Sequence, residues 1–324
     1  MHNIIQELKE KIFNNNLITK EDALLLNSQP LETLANAANE IREHFCKNTF
    51  DLCTIISGKG GKCSEDCKYC AQSSIATGTV ETFSLLKTND FLKEAQYNQE
   101  KNIKRFSIVT SGKKLNKKEI EEICQTIKIL KDTTSLTLCA SFGLLDKDDF
   151  MAIKTAGIER IHNNLESSRK YFPQMCTTHT YEDKIDSIKK AQNLGLSICS
   201  GGIFGIGESM EDRIDMAITI RDLGIKSIPI NMLNPIPGTP YGNNPRLTIE
   251  EMCRIVAIFR FIIPDSFIRL AGGRGLLPDS GKKCFQSGAN AAITGDLLTT
   301  SGISIETDLK MIKELGFVPE LGNC

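Results

Sequence analysis

The sequence predicts an α/β fold, a (β/α)8 barrel of the TIM type with an N-terminal helical extension and a short C-terminal tail. Short apolar and β-branched runs alternate with longer stretches of helical periodicity, a pattern typical of repeated βα units around a parallel sheet. Eight such runs lie between residues 50 and 295, close to the roughly 250 residues that such barrels occupy. The same strand count also fits an open sheet. We expect the extension at residues 1–45, the barrel at 46–300 and a helical tail at 301–324.

The elements follow from these runs in chain order. The predicted strands are residues 50–57, 105–112, 136–143, 160–167, 196–201, 227–233, 267–272 and 291–295. Residues with helical spacing between them predict helices over 118–130, 147–156, 181–194, 210–223 and 249–262. The last helix has a start signal, because Thr248 is followed three residues later by Glu251, the pattern of a capping box.

Glycine- and proline-rich loops follow several of the predicted strands. They lie at residues 57–61, 201–202, 235–240 and 272–275. Barrels and open α/β sheets bind their ligands at the carboxyl ends of the strands. We therefore expect the active site at that end.

Composition excludes several classes of protein. The 39 Lys and Arg residues balance 40 Asp and Glu residues, so the basic footprint of a nucleic-acid binder is missing. The longest apolar run, residues 255–263, is shorter than the roughly 20 residues of a membrane span, and Arg260 interrupts it. The N-terminus has no secretory signal pattern. We expect a cytoplasmic protein with reduced thiols and with neither nucleic acid nor membrane as a partner.

Three of the twelve cysteines crowd into residues 63–70, which read CSEDCKYC. A structural zinc site needs a fourth protein ligand, and no further cysteine or histidine follows nearby. An iron–sulfur cluster is held by thiolates and tolerates other ligands, so three cysteines would leave one iron of a four-iron cube open to a small molecule. Cys63, Cys67 and Cys70 are therefore predicted to bind a 4Fe-4S cluster; a chance grouping is the alternative.

With this motif after the first strand, the sequence resembles the radical S-adenosylmethionine (radical SAM) superfamily. Within it the chain is similar to the biotin synthase family along almost its whole length. The matching segments are CSEDCKYCAQSS at 63–74, HNNLE at 162–166, TTHTY at 177–181, CSGGIFGIGE at 199–208, PINML at 229–233, GTP at 238–240, RL at 269–270 and SGAN at 287–290.

The resemblance implies a reaction and its cofactors. S-adenosyl-L-methionine on the open iron would accept one electron and yield a 5′-deoxyadenosyl radical, which would take hydrogen from dethiobiotin so that sulfur can be inserted to form biotin. An auxiliary iron–sulfur cluster, of the 2Fe-2S type or larger, would donate the sulfur. The cofactors carry this chemistry, and no side chain is expected to be catalytic by itself. The implied partners are a flavodoxin- or ferredoxin-type electron donor, iron–sulfur assembly machinery and a second copy in a homodimer.

By the same resemblance, Cys139, Cys199 and Arg269 match three ligand positions of the auxiliary cluster. The fourth position, a cysteine in the family, is Ser107 here, and a serine oxygen is a poor exchange for a soft thiolate. Cys53, on the first strand, stands where many relatives have serine. Our hypothesis is that Cys53 supplies the missing thiolate. Further candidates for a ligand or sulfur relay are Cys46 and Cys284.

The resemblance also implies two groups of binding residues, and three of them depart from the family pattern. Glu166 stands where many relatives have aspartate, Lys184 replaces an arginine and His162 replaces an asparagine. The residues expected to bind S-adenosylmethionine are Tyr69, Asn164, Glu166, Lys184, Gly201, Ile203, Gly205 and Glu208. Those expected to bind dethiobiotin are His162, Asn164 and Asn231.

Two alternatives stay open at the level of sequence. One is another radical SAM enzyme with the same barrel, of the hydrogenase-maturation or methylornithine type, which would form deoxyadenosine without biotin. The other is a non-catalytic iron–sulfur carrier, which would form neither.

Overall fold

The computed structural model describes residues 4–61, 63–295 and 302–322 and contains a closed barrel of parallel strands. Strand pairing follows chain order around the barrel, and β9 closes it by pairing with β1 through Asp51 and Ala291. The predicted barrel is confirmed and the open sheet is wrong. The strands are β1 (Thr49–Lys59), β2 (Arg105–Thr110), β3 (Thr137–Ser141), β4 (Ile158–His162), β5 (Ser197–Cys199), β6 (Gly202–Phe204), β7 (Ser227–Met232), β8 (Phe267–Leu270), β9 (Ala291–Ile293) and β10 (Val318–Pro319).

The fourth and fifth predicted strands differ from the observed ones. β4 ends at His162, five residues before the predicted end at 167, and the fifth strand is divided into β5 and β6. At Gly201, between these two pieces, a Cβ atom would lie 1.9 Å from the carbonyl oxygen of Pro229 on β7, so only glycine fits. Beyond this contact the pairing continues through β6, whose Gly202 pairs with Ile230.

The helices agree with the predicted ones to within three residues at each end. The Thr248 side chain accepts a hydrogen bond from the Glu251 amide, and the Glu251 carboxylate accepts one from the Thr248 amide, which confirms the capping box. The helices are α1 (Ile4–Phe13), α2 (Lys20–Asn27), α3 (Leu31–Cys46), α4 (Thr88–Glu100), α5 (Lys117–Thr133), α6 (Lys147–Ala156), α7 (Phe172–Met175), α8 (Tyr181–Asn193), α9 (Met210–Asp222), α10 (Ile249–Ile262), α11 (Lys282–Gln286) and α12 (Ile305–Glu314).

Both ends of the described chain pack on the barrel. α3 contacts α10, α2 contacts α9, and β10 pairs with the start of β1. The division into extension, barrel and tail stays a prediction, and its boundary at residues 300 and 301 lies outside the described residues. Within the described ranges, no helix combines the length and the apolar character needed to cross a membrane.

A buried ion pair ties α12 to the barrel. Arg274, in the loop after β8, donates to both carboxylate oxygens of Asp308 at 2.8 and 2.5 Å. The two side chains are only 3% and 1% exposed, respectively. Removal of one partner from such a pair leaves the other as an uncompensated buried charge, which is strongly destabilising.

We predict that Asp308→Asn lowers the free energy of unfolding by about 3–5 kcal/mol, because Arg274 keeps its charge inside the protein. The matched control is Glu306→Gln on the same helix, where the ion pair with Lys101 is solvent-exposed and its loss should have little effect. Urea denaturation of protein purified without cofactors measures both. Equal effects of the two substitutions would contradict the assignment.

Candidate functional site

A cavity of about 320 Å³ lies inside the barrel and extends to the loops at the carboxyl ends of the strands. Alternate residues of a strand point to opposite faces, which brings Cys53 of β1 and Ser107 of β2 to the barrel interior. Many of the sequence-predicted residues meet here. The lining includes Cys53, Tyr69, Cys70, Cys139, His162, Asn164, Glu166, Cys199, Ile203, Asn231 and Arg269. Among described residues, the predicted candidates outside the lining are Cys46, Cys63, Cys67, Lys184, Gly201, Gly205, Glu208 and Cys284.

Three buried thiols lie within the barrel strands, as their strand positions predict. Cys139 pairs with Ser107 across β3 and β2, whereas Cys53 pairs with Arg105. Cys53 is therefore nearer than Ser107 to the amino-terminal ends of the strands. The difference is two residues, or roughly 7 Å along the strand direction. A thiolate from Cys53 would thus approach a metal cluster from a different position than a cysteine at residue 107.

The three thiols differ in their ease of ionisation. Burial alone would raise the pKa of Cys199, but hydrogen bonding to His162 and the positive charge of Arg269 lower it to about 6. Burial and the neighbouring Cys139 raise the pKa of Cys53 to about 12. Burial also raises the pKa of Cys139. Cys199 is therefore the most readily ionised of the three thiols, and the other two would lose their protons on binding a metal.

A buried carboxylate with two arginines forms the base of the cavity, and sequence reasoning missed both Asp51 and Arg105. Asp51 accepts hydrogen bonds from Arg105 Nε and Nη2 at 3.2 and 2.9 Å and from Arg269 Nη2 at 2.9 Å. Burial alone would raise the pKa of Asp51, but the two guanidinium groups lower it to about 2. The sequence did contain a signal for these two residues. Asp51 lies two residues before Cys53 and Arg105 two residues before Ser107, so each charged side chain is on the same strand face as a cavity residue.

Arg269 lies on the cavity, as predicted, and its guanidinium group is occupied by the protein. Nη1 donates to the main-chain carbonyls of Asp51 and Ala292, both at 3.0 Å. Burial alone would lower the pKa of Arg269, but Asp51 and the nearby thiols raise it above its ordinary value. A charged guanidinium group donates hydrogen bonds and has no lone pair to offer a metal. The geometry therefore favours the charged form, and the ligand role of Arg269 stays a prediction.

The cysteine motif forms a tight loop after β1, as predicted. The Cys63 amide donates to the Gln72 carbonyl at 2.8 Å, and the Cys70 amide donates to the Cys67 carbonyl at 3.1 Å. All three thiols are partly exposed, and Cys70 reaches the cavity. Asp66 anchors the loop, because its carboxylate accepts hydrogen bonds from the amides of residues 177 and 178 at 2.8 and 3.2 Å.

Glu166 has a backbone conformation that favours glycine, with φ of 69°. Its amide donates to the Gly201 carbonyl, and its own carbonyl accepts from the Ile203 amide, so the chain is fixed between β5 and β6. One carboxylate oxygen accepts from the Tyr69 hydroxyl at 3.2 Å, whereas the other is buried and has no hydrogen-bond partner among the described residues. Burial raises the pKa of Glu166. Such strain in a non-glycine residue is typical of functional sites, and the free oxygen can accept a hydroxyl from a ligand.

Two predicted amide side chains are partly used by the protein. Asn164 Oδ1 accepts from the Gly201 amide at 3.1 Å. Asn231 donates through Nδ2 to the Gly202 carbonyl at 3.0 Å and accepts through Oδ1 from the Gly272 amide at 2.9 Å. A carboxamide has two N–H groups and two acceptor lone pairs, so Asn231 keeps one of each for a ligand.

Three further predicted residues are Glu208, Lys184 and His162, and of these His162 lines the cavity. Glu208 joins its loop to α9, because it accepts from the Gly205 amide at 3.0 Å and from Arg213 Nε of α9 at 2.7 Å. Lys184 donates to Asn163 Oδ1 at 3.2 Å. His162, expected near the substrate, pairs in register with Cys199, whose thiol accepts a hydrogen bond from the Ser227 hydroxyl at 3.3 Å. Ligand contacts of these three residues stay predictions.

Comparisons with known proteins agree with this geometry. A model of the radical SAM superfamily matches residues 59–220, and a model of the biotin and thiamin synthesis associated domain matches residues 229–318. The biotin synthase of Brachyspira hyodysenteriae is 57% identical over 317 residues, which cover 98% of this chain and 95% of that protein. The biotin synthase of Clostridium botulinum (strain Langeland) is 52% identical and covers 98% of this chain and 99% of its own.

Solved structures with low sequence identity share the fold. Methylornithine synthase superposes with a TM-score of 0.81 at 16% identity, covering 97% of both chains. The FeFe-hydrogenase maturase HydG gives a TM-score of 0.84 at 18% identity, covering 99% of this chain and 76% of its own. At these identities the likeness shows the barrel alone, so it does not favour either activity for this protein.

High identity to biotin synthases over nearly the full length, together with the radical SAM match over the cysteine loop, identifies an enzyme class as well as a fold. The chain belongs to the biotin synthase family of radical S-adenosylmethionine enzymes.

Proposed function

We propose that this enzyme converts dethiobiotin to biotin by radical S-adenosylmethionine-dependent sulfur insertion, with an auxiliary iron–sulfur cluster as the sulfur donor. The observation that carries the proposal is a single cavity that has Cys70 of the motif in the loop at one end and Cys53, Cys139 and Cys199 among the barrel strands. Two separate sets of cysteines therefore face one cavity. This arrangement suits a reaction in which hydrogen abstraction and sulfur donation act on the same substrate.

The side chains present fit the two clusters. Each site offers three thiols, and iron–sulfur clusters are held by thiolates. Two buried polar atoms of cavity-lining residues, Glu166 Oε2 and Arg160 Nη1, have no hydrogen-bond partner in the part of the chain that the structure describes, as expected where ligands bind. When bound, the 4Fe-4S cluster with S-adenosylmethionine supplies a 5′-deoxyadenosyl radical, and the auxiliary cluster supplies sulfur.

For S-adenosylmethionine, the proposed contacts divide into direct and indirect ones. Glu166 would accept the ribose hydroxyls through its free oxygen, and Ile203 would supply an apolar wall. Glu208 would act indirectly, by holding the loop that presents the backbone of Gly205. The complete proposed set is Tyr69, Asn164, Glu166, Lys184, Gly201, Ile203, Gly205 and Glu208.

For dethiobiotin, we propose His162, Asn164 and Asn231 as the binding residues. The remaining N–H group and lone pair of Asn231 match the carbonyl and N–H edge of a ureido ring. Because His162 pairs in register with Cys199 and both line the cavity, it would bring the substrate next to the auxiliary site.

For the auxiliary cluster, we propose Cys53, Cys139 and Cys199 as thiolate ligands, with Arg269 in the fourth ligand position, where its guanidinium group would lose a proton on binding iron. Support comes from the burial of all three thiols on one cavity and from the presence of Ser107 where the family has cysteine. The different position of Cys53 along the barrel favours a cluster of another shape than the usual two-iron form. Family membership supports the remaining partners: a flavodoxin- or ferredoxin-type electron donor, iron–sulfur assembly machinery, a homodimer and a cytoplasmic location.

The proposal predicts that anaerobically reconstituted enzyme with a reductant, S-adenosylmethionine and dethiobiotin forms both deoxyadenosine and biotin. Cys63→Ala should abolish both products because the radical cluster loses a ligand, whereas Cys124→Ala on α5, away from the cavity, should retain both. Chromatographic counting of the two products is the measurement. Deoxyadenosine without biotin would indicate another radical SAM activity, and neither product would indicate a cluster carrier.

If Cys53 supplies the thiolate that Ser107 cannot, the Cys53→Ala enzyme should lose its auxiliary iron and sulfide and form no biotin, while it still cleaves S-adenosylmethionine. Adding Ser107→Cys to this variant should restore an auxiliary cluster, because it returns a thiolate to the family position. Iron and sulfide analysis with Mössbauer spectroscopy measures both effects, and Cys124→Ala is again the control. Unchanged auxiliary iron and sulfide in Cys53→Ala would refute this ligand role of Cys53.

The role of Glu166 predicts that Glu166→Gln raises the KM for S-adenosylmethionine roughly tenfold to a hundredfold, because a hydrogen bond to a charged group contributes about 1.5–3 kcal/mol. Glu166→Asp, which keeps the charge, should lose less. Initial rates of deoxyadenosine formation at varied S-adenosylmethionine concentration measure the change. An unchanged KM in Glu166→Gln would remove this residue from the binding site.

A further inference from the structure

Three soft donor groups meet behind the cysteine loop, and the proposed reaction uses one of them. The side chains of Cys67, Cys176 and His179 place one ligand atom each within 4.8 Å of one another. Cys176 and His179 are buried, and they lie in the segment that anchors the cysteine loop. We propose that these three residues bind a single divalent metal ion of the zinc type when the enzyme lacks its radical cluster.

The distances agree with a tetrahedral ion. Cys67 Sγ and Cys176 Sγ are 3.7 Å apart, and Cys176 Sγ lies 3.4 Å from His179 Nδ1 and 3.8 Å from His179 Nε2. With Zn–S bonds of about 2.3 Å and Zn–N bonds of about 2.0 Å, a tetrahedral site separates two sulfurs by about 3.8 Å and sulfur from nitrogen by about 3.5 Å. An ion therefore fits between these atoms with small side-chain movements. A set of two thiolates and one imidazole leaves a fourth position for water.

A carboxylate orients the imidazole for this role. Glu65 Oε2 lies 2.6 Å from His179 Nδ1, so a proton on Nδ1 leaves the lone pair of Nε2 available to a metal. Glu65 is itself fixed, because Oε2 also accepts from the Thr178 hydroxyl at 2.8 Å. Metal-binding histidines commonly donate their other ring N–H to a carboxylate, which sets the tautomer and strengthens the ligand.

The two halves of the site are held together without an ion. The Lys68 amide donates to the Met175 carbonyl at 3.0 Å, and Asp66 accepts from the Thr177 amide at 2.8 Å. The ring of Phe172 packs edge-on against His179, with centroids 5.6 Å apart. A site assembled before the ion arrives does not have to order its ligands on binding, which favours affinity.

The shared residue has a consequence for cluster assembly. If Cys67 binds the radical cluster, as the proposed function requires, its thiolate cannot serve a zinc ion bound to Cys176 and His179 at the same time. The ion would therefore delay assembly of the radical cluster until it dissociates. This competition rests on the proposed function, whereas the ion site itself does not.

The test uses Co²⁺ as a spectroscopic substitute for Zn²⁺ in anaerobic, cluster-free enzyme. Cys63→Ala/Cys70→Ala is the starting variant, because it cannot bind an ion through the three motif thiols. We expect visible d–d bands of tetrahedral cobalt and a thiolate charge-transfer band. Adding Cys176→Ser should remove these bands, and adding Glu65→Gln should weaken binding roughly tenfold to a hundredfold. Adding Cys253→Ala is the matched control, since this buried thiol also has a thiol neighbour, Cys284, at 3.8 Å.

A second measurement needs no substitution. Zn²⁺ should protect Cys67 and Cys176 of the unmodified, cluster-free chain from alkylation, as read residue by residue by mass spectrometry. Prior Zn²⁺ should also slow cluster reconstitution in the unmodified enzyme and not in Cys176→Ser. Unchanged cobalt bands in the Cys176→Ser variant, or unprotected Cys176, would overturn the site. Equal slowing in both proteins would overturn the competition. Neither result depends on biotin formation, so failure of the proposed function is distinguishable.

Discussion

The base of the cavity depends on the ion pairs that the Asp51 carboxylate forms with two arginines. The carboxylate is fully buried and binds Arg105 and Arg269, from strands on either side of β1 and β9. A buried charge that loses its partner costs several kcal/mol, so the carboxylate and the two arginines depend on one another. One negative charge between two positive ones leaves a net positive charge beside the barrel thiols. Together with His162, the positive charge of Arg269 lowers the pKa of Cys199, whereas burial raises the pKa of Cys53 and Cys139 despite the two arginines.

Barrel closure connects this base to the ligand-binding end. Because all strands are parallel, their carboxyl ends meet at one mouth, where the cysteine loop, Glu166 and Asn231 converge. The division of the fifth strand at Gly201 allows the backbone of Glu166 to bond across to β5 and β6, which fixes the carboxylate despite its unfavourable φ. The cavity thus combines a rigid, charged base with a mouth shaped by irregular backbone.

Local patterns predicted much of this arrangement. Periodicity identified the barrel strands, and the spacing of Cys63, Cys67 and Cys70 predicted a cluster loop, because both are properties of neighbouring residues. The sequence also placed Cys53 on the first strand, and the structure shows that its side chain lines the barrel cavity. Contacts between distant residues had no such signal. Asp51 and Arg105 are 54 residues apart, and Cys67 and Cys176 are 109 apart, so only the folded chain shows that they meet. Glu208 matched a sequence pattern for ligand binding, but its carboxylate is hydrogen-bonded to the Gly205 amide and to Arg213 of α9.

We propose above all that two iron–sulfur clusters face each other across a single barrel cavity. Diffraction recorded at the iron absorption edge from anaerobically reconstituted crystals tests it most directly. We expect one iron centre bound to Cys63, Cys67 and Cys70 and a second bound to Cys53, Cys139 and Cys199, with the Ser107 hydroxyl unbound. Iron bound to Ser107 with Cys53 free, or no iron between the barrel strands, would contradict the account.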